Sequence, residues 1–364
     1  MKRLFAGVAA ALLAAAFSTP IKASAVSAEK AIVLDACTGR VLFEKNADSE
    51  SLIASTTKIM TALIVCEQCN VLDRMAIPKE AVGIEGSSMY LREGEVLTIQ
   101  ELLYGLMLQS GNDAAVALAM YCAGTVEGFA ELMNDKAHRL GLTQSHFVNP
   151  HGLDAPDHYS TARDLAFLAA YAMQNPIFSK TVSSKTVKIG ERFLRNHNKL
   201  LWQFLGADGV KTGFTKAAGR ILVSSALRDG RRIIAVTINA PDDWQDHQKL
   251  LQQGFSEFSA QTLISKEQCV GVRPIAGGTM GQVMLIAEED FSFALRESER
   301  WSVRLPEPGF VYAPVCEGQS AGYAHVCVDG VPVGKVALVY GETVEQKQDP
   351  QLPWWKRLFV GGNK

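Results

Sequence analysis

Ser55-Thr56-Thr57-Lys58, Ser110-Gly111-Asn112 and Lys211-Thr212-Gly213 occur in that order along the 364-residue chain, and their contexts decide the fold. A serine hydroxyl is a poor nucleophile at neutral pH and needs a base within hydrogen-bond reach. After Ser55, the residues Ile59, Met60, Leu63, Ile64 and Cys66 recur with helical spacing. Ser55 is therefore expected at the N-cap, with Lys58 one turn on along the same face. Burial of that turn would disfavour the Lys58 ammonium, and a neighbouring Lys211 cation would push its pKa the same way. A neutral Lys58 amine can act as general base.

Ser-x-x-Lys alone is weak, since Ser27-Ala28-Glu29-Lys30 fits the same pattern. Ser110-Gly111-Asn112 lies between the apolar runs 102–108 and 114–120, which predicts a helix-to-helix break aiming polar groups at one spot; a cap by Asn112 or Asp113 is the ordinary alternative. Lys211-Thr212-Gly213 precedes the strand-like runs 221–226 and 233–238, joined by a turn at Arg228-Asp229-Gly230. A strand end with a glycine bulge accounts for that motif alone. Three such motifs in this order, in helix, break and strand contexts, point to a serine acyl-transfer site.

Longer strings carry a resemblance. Gly86-Ser87-Ser88-Met89, Leu108-Gln109-Ser110-Gly111-Asn112-Asp113-Ala114, Asn134 with Leu140-Gly141-Leu142, His151-Gly152-Leu153-Asp154 and Tyr159-Ser160-Thr161-Ala162-Arg163-Asp164 resemble low-molecular-mass penicillin-binding proteins of the type-5 D-alanyl-D-alanine carboxypeptidase family. The resemblance covers nearly the whole chain. It implies an α/β (α+β) serine transpeptidase/β-lactamase-like domain, with an antiparallel sheet made from both chain ends and a helical lobe between, followed by a small all-β domain. It also implies removal of the terminal D-alanine from peptidoglycan stem peptides through an acyl-enzyme on Ser55, and covalent inhibition by β-lactams.

On that reading Lys58 takes the Ser55 proton, Ser110 relays it to the leaving amine, and Asn112 holds the substrate amide and positions Lys58. Lys211 and Thr212 meet the substrate carboxylate, beside Gly213, and Ser87 joins the substrate-binding set. The backbone N–H groups of Ser55 and Phe214 are the expected oxyanion hole. Arg232, at the start of the run Arg232-Ile233-Ile234-Ala235-Val236, is either a second carboxylate contact or a solvated strand-end arginine. Phe214 departs from the family pattern, in which histidine often follows Lys-Thr-Gly, and so removes a titratable group.

Residues 1–28 carry Lys2, Arg3 and Lys22, no acids, and an apolar stretch from Leu4 to Phe17, which reads as a signal peptide. The stretch is short for a span of about 20 residues. The whole chain has a formal charge of −2, and nothing in it suggests a nucleic-acid partner. A change to strand-like alternation near residue 260 divides a catalytic domain at 29–260 from a β domain at 261–348, read as a spacer or protein contact. In the tail 349–364, Trp354, Trp355, Leu358 and Phe359 share a helix face opposite Lys356 and Arg357. That pattern suits a peripheral membrane contact, with packing on the β domain as the alternative. The expected location is extracytoplasmic, on the outer face of the cytoplasmic membrane.

The seven cysteines leave at least one unpaired. Cys66 and Cys69 read as core thiols, whereas Cys316 and Cys327 flank a hairpin and are candidates for pairing. The histidines show no zinc spacing, so no metal or other cofactor is called for; His151 reads as a loop residue bonding backbone. Thr161 with Asp164 reads as a helix start. The rivals are a DD-endopeptidase on the same residues, a β-lactamase, and a catalytically silent cell-wall binding protein. No Glu-x-x-Leu-Asn lies between the second and third motifs, where a class A β-lactamase carries its deacylating glutamate.

Overall fold

A computed structural model describes residues 26–305 and 309–347. Residues 1–25 of the signal-peptide segment and the Trp354–Trp355 tail lie outside the described residues; Ser27 Oγ and the Ala28 N–H, at the end of that segment, bond Asp246 Oδ2. The described chain forms two compact units, one ending at Ser259 and the other beginning at Ala260.

The first unit is built on an antiparallel sheet of β1 (Lys30–Asp35), β2 (Val41–Lys45), β3 (Ala207–Thr215), β4 (Gly219–Arg228) and β5 (Arg231–Ile238), in the order β2-β1-β5-β4-β3. Strands from both ends of this unit thus meet in one sheet, as the sequence suggests. β4 turns into β5 through Asp229 (φ 49°) and Gly230 (φ 77°), both in the left-handed region that a two-residue hairpin turn demands. β1 pairs directly with β5, Lys30 opposite Ile238 and Asp35 opposite Ile233. Except for Arg232, β5 is buried throughout. Its long apolar run follows from helix cover by α5 (Ala162–Ala172) and α7 (Asp243–Glu257), which pack against the same strands.

Between β2 and β3 lies the helical lobe: α1 (Lys58–Gln68), α2 (Ile99–Leu108), α3 (Asn112–Ala123), α4 (Val126–Leu140), α5 and α6 (Pro176–Ser183). Every residue of α1 from Lys58 to Cys66 is buried, so this helix is the axis around which the lobe packs. Ser55 does not stand at the N-cap of α1, where its sequence context places it. Residues Ala54–Thr57 form one turn of 3₁₀ helix, and α1 begins only at Lys58, with Thr57 at its N-cap position. Ser55 sits inside the tight turn because Thr56 Oγ1 donates to the Ile53 carbonyl (2.5 Å) and the Lys58 N–H bonds the Ser55 and Thr56 carbonyls. Thr161 does cap α5, accepting from the Asp164 N–H at 3.1 Å.

The second unit holds a six-stranded sheet with its own buried core, including Val283, Leu285, Ala324, Val326, Val336 and Leu338. Cys316 and Cys327 do not pair: register sets Cys327 opposite Ser302 and Pro332, and both thiols are free. Among the described residues, no group of His, Cys, Asp and Glu side chains is arranged to hold a metal, and no single helix is long and apolar enough to cross a membrane.

Candidate active site

The site grows from the amine of Lys58, at the first turn of α1. Its Nζ lies 2.9 Å from Ser55 Oγ, 2.7 Å from Asn112 Oδ1 and 2.6 Å from the His151 carbonyl oxygen. The side chain is fully buried, and burial first and the Lys211 cation second push its pKa well below the ordinary lysine value, against a smaller opposing pull from Asp113. A neutral amine has two N–H bonds and one lone pair. Asn112 Oδ1 and the His151 carbonyl can only accept, so they take the two N–H bonds, and the lone pair is left facing the Ser55 hydroxyl.

Asn112 arrives through the break between α2 and α3. Ser110, at φ 61°, makes the reversal, and Gly111 stands at the N-cap position without a side-chain cap. Neither Asn112 nor Asp113 serves as the cap. Asn112 Nδ2 donates to the Glu85 carbonyl (2.5 Å), and its backbone N–H to the Ser87 carbonyl (2.7 Å). The Asp113 carboxylate accepts from Ser88 Oγ (2.6 Å) and from the Met89 and Leu91 N–H groups (3.1 Å each), so it clamps the 85–91 loop over the break. That clamp explains the Gly86-Ser87-Ser88-Met89 string: Gly86 has φ +93°, and a Cβ there would sit 2.8 Å from Asn112 Nδ2. Ser87 contributes a carbonyl to Asn112, and its side chain is exposed. Ser110 is buried, and its hydroxyl has no protein hydrogen-bond partner among the described residues.

The His151 carbonyl is held by a loop stapled to α1. Thr61 Oγ1 donates to the Pro150 carbonyl (2.6 Å), and Thr57 Oγ1 meets His158 Nε2 (2.8 Å). Gly152, at φ +87°, allows the closest approach, because a Cβ there would strike the Ala54 carbonyl. His151 Nδ1 accepts from the Leu153 N–H at 3.1 Å, and burial, with help from Lys58, lowers its pKa to about 4. The imidazole is thus a neutral loop brace, and the backbone of His151 touches the amine.

β3, an edge strand, brings the third motif alongside. A Cβ on Gly213 would lie 3.3 Å from the Ile53 carbonyl, the Ser55 nitrogen and Thr56 Cγ2, so glycine is what lets the strand lie against the Ser55 turn. Lys211 is buried, donates to the Thr212 carbonyl (2.7 Å), and has a pKa lowered by burial to about 7. Thr212 is half-buried and Phe214 is exposed.

Arg232, open in sequence between a carboxylate contact and a solvated strand-end residue, is bonded within the protein. It pairs with Leu227 near the far end of the β4–β5 hairpin, while Leu222 and Val223 face Thr237 and Val236. Its Nη1 is taken up by Asp208 Oδ2 (2.7 Å) and Ser225 Oγ (2.6 Å). Sequence reasoning misses Arg220. It pairs across the strands with Phe214, so the two side chains share a face, and its Nη2 spans both Asp243 oxygens at 2.9 Å each. Its side chain is 44% exposed and that of Asp243 only 4%, so a buried carboxylate holds an arginine that still faces water.

Comparison with known proteins agrees with this geometry. The D-alanyl-D-alanine carboxypeptidase family model matches residues 16–242, and the model for the C-terminal domain of penicillin-binding protein 5 matches 258–346. The chain is 35% identical over 347 residues to D-alanyl-D-alanine carboxypeptidase DacC of Escherichia coli K12, covering 90% of this chain and 86% of that protein. It is 31% identical over 321 residues to DacF of Bacillus subtilis 168, covering 83% and 82%. Crystal structures of penicillin-binding protein 5 from Haemophilus influenzae superpose with a TM-score of 0.79 at 29% identity, covering 90% of this chain and 100% of that one. With a hydroxyl, a buried amine and an edge strand assembled by the three motifs, this chain belongs to the D-alanyl-D-alanine carboxypeptidase family and carries a penicillin-binding protein 5-type C-terminal domain.

Proposed function

We propose that the protein is a serine-type D-Ala-D-Ala carboxypeptidase that releases the terminal D-alanine of peptidoglycan stem peptides through an acyl-enzyme on Ser55. The observation that carries this reading is the Lys58 amine, buried, depressed in pKa and 2.9 Å from the Ser55 hydroxyl. Lys58 takes the Ser55 proton as Oγ bonds the carbonyl carbon of the penultimate D-alanine. The N–H groups of Ser55 and Phe214 face the developing oxyanion. Ser110, whose hydroxyl has no other partner among the described residues, passes the proton to the leaving amine. D-alanine departs, and water hydrolyses the ester. β-Lactams enter by the same attack.

The substrate carboxylate meets Lys211 and Thr212. A lysine with a pKa of about 7 is only partly charged at neutral pH, and an incoming carboxylate favours its charged form. We infer that the second cation is Arg220 and not Arg232. In support, Arg220 shares a face with Phe214 next to Lys211-Thr212-Gly213, and its anchoring to Asp243 uses only Nη2. Arg232 is already engaged by Asp208 and Ser225.

The catalytic domain is taken as 29–260 and the β domain as 261–348. An extracytoplasmic site of action, with the Trp354–Trp355 tail on the membrane surface, follows from the stem-peptide substrate and the sequence of the two chain ends. The test is D-alanine release from a diacyl-tripeptide ending in D-Ala-D-Ala by the mature protein and by Ser55→Ala. Release by the first and none by the second is expected. No release by a folded wild type would sink the carboxypeptidase and send the search to crosslinked peptides.

A further inference from the structure

We propose that Cys69 and Cys122 are a disulfide site, and that their bond braces the helix pair that carries Lys58 and Asn112. The two Sγ atoms lie 2.7 Å apart across 53 residues of sequence. Closing to a bond of about 2.05 Å takes a shift of under about 1 Å.

Their position in the fold gives the bond its meaning. Cys69 directly follows α1, and Cys122 lies in the last turn of α3. The same two helices meet at their N-terminal ends through Lys58 Nζ and Asn112 Oδ1. They therefore run parallel and touch at both ends, about 16 Å apart at 1.5 Å per residue. One contact is the polar heart of the site, and the other is the pair of thiols.

Both thiol-bearing segments are fixed before any bond forms. The Cys69 N–H bonds the Val65 carbonyl, Asn70 Nδ2 bonds Asp73 Oδ1 (2.7 Å), and Tyr121, beside Cys122, donates its hydroxyl to Asp73 Oδ2 (2.8 Å). Both cysteines are half-buried, within reach of a small disulfide reagent, whereas Cys66 one turn earlier is buried and its thiol is pushed up to about 12. The hydrogen bond from Cys122 lowers the Cys69 pKa, which favours Cys69 as the attacking thiolate.

The oxidant is a disulfide, either of an extracytoplasmic thiol oxidoreductase or of oxidised glutathione. The Cys69 thiolate attacks one oxidant sulfur, forming a mixed disulfide and expelling the other as a thiolate. Cys122 then loses its proton and attacks Cys69 Sγ, forming the internal bond and expelling the second oxidant sulfur. The protein loses two electrons and two protons, and the oxidant leaves as two thiols.

The test uses the whole mature protein. Native protein is treated with oxidised glutathione, quenched in acid, alkylated and mapped by mass spectrometry. A Cys69–Cys122 crosslinked peptide is expected, and dithiothreitol should lower the Tm of the oxidised wild type while leaving the Tm of Cys122→Ser unchanged. Recovery of Cys69 and Cys122 both alkylated, or of either joined to glutathione or to Cys66, would overturn the site. A crosslinked wild type whose Tm ignores dithiothreitol would overturn the bracing role.

Discussion

Lys58 Nζ and Asn112 Oδ1 stand 2.7 Å apart, and this contact fixes the direction of the amine's lone pair. An acceptor at Asn112 and another at the His151 carbonyl leave Ser55, of the three groups bonded to the amine, as the one able to give it a proton. Asn112→Asp keeps the shape and adds a negative charge beside Lys58, which favours the ammonium. The acid limb of kcat/KM should therefore move to higher pH, and activity at pH 7 should fall about tenfold for every pH unit by which the limb passes neutrality. A profile that does not move would remove Lys58 as the base.

In the proposed mechanism two lysines have opposite duties, and the pH profile of the wild type follows from them. Lys58 works uncharged, so activity is lost as pH falls through its lowered pKa. Lys211 works charged, so kcat/KM declines as pH rises through about 7 in the free enzyme. The alkaline limb of kcat should lie higher, because the bound carboxylate favours the Lys211 ammonium. Lys211→Arg should abolish the alkaline limb and leave the acid limb in place.

Arg220→Ala should raise KM by about 10- to 100-fold, the worth of a charge-assisted hydrogen bond to the substrate carboxylate, with a smaller effect on kcat. Asp243→Asn should do the same in lesser degree, since it frees the guanidinium without removing it. Arg232→Ala should leave KM near the wild-type value. Steady-state kinetics on the tripeptide reads all three, and a KM effect confined to Arg232→Ala would reverse the assignment.

Gly213→Ala puts a methyl group 3.3 Å from the Ser55 nitrogen and the Ile53 carbonyl, tighter than ordinary contact. Both neighbours are backbone, so the strand and the Ser55 turn must separate by a few tenths of an ångström. Acylation by penicillin should slow by about tenfold with little loss of Tm, as expected for misplacement of well under 1 Å at a reacting centre. Unchanged acylation would show that β3 does not set the position of Ser55.

Acid stability reports on a different buried group. His247 is fully buried between Ser224 Oγ (2.5 Å) and Thr237 Oγ1 (2.9 Å), and burial lowers its pKa to about 3. The unfolded chain takes up this proton near pH 6.5 and the folded chain only near 3, so stability is complete above 6.5 and is lost as pH falls toward 3. His247→Gln should flatten the fall in urea-unfolding free energy across that window by up to about 1.4 kcal/mol per pH unit. An unaltered slope would mean that the loss comes from other groups, such as His151 and His158, both lowered to about 4.

The parts of this fold that are legible in sequence are those in which a side chain or a turn acts locally. The Asp229-Gly230 reversal, the Ser110 break and the α1 periodicity are of this kind. The tight turn holding Ser55 reads as a cap in sequence because the hydroxyl of a serine before an apolar run usually finds a backbone N–H; here Thr56 and the Gly152 approach impose another geometry. The His151 carbonyl is illegible in principle, since every residue carries one and only the loop path aims it. Arg220 is hidden by register: its pairing with Phe214, and not its distance along the chain, puts it beside the third motif. Arg232 stays open in sequence for the same reason, because a strand neighbour can still be several residues away along the pleat.

Covalent chemistry at Ser55 underlies every step of the proposed reaction, and intact-mass measurement after brief exposure to benzylpenicillin, followed by peptide mapping, probes it without intermediaries. One penicilloyl group per chain is predicted, located on Ser55, and none on Ser55→Ala. A folded wild type that gains no mass, or gains it at another residue, would contradict the assignment of the nucleophile.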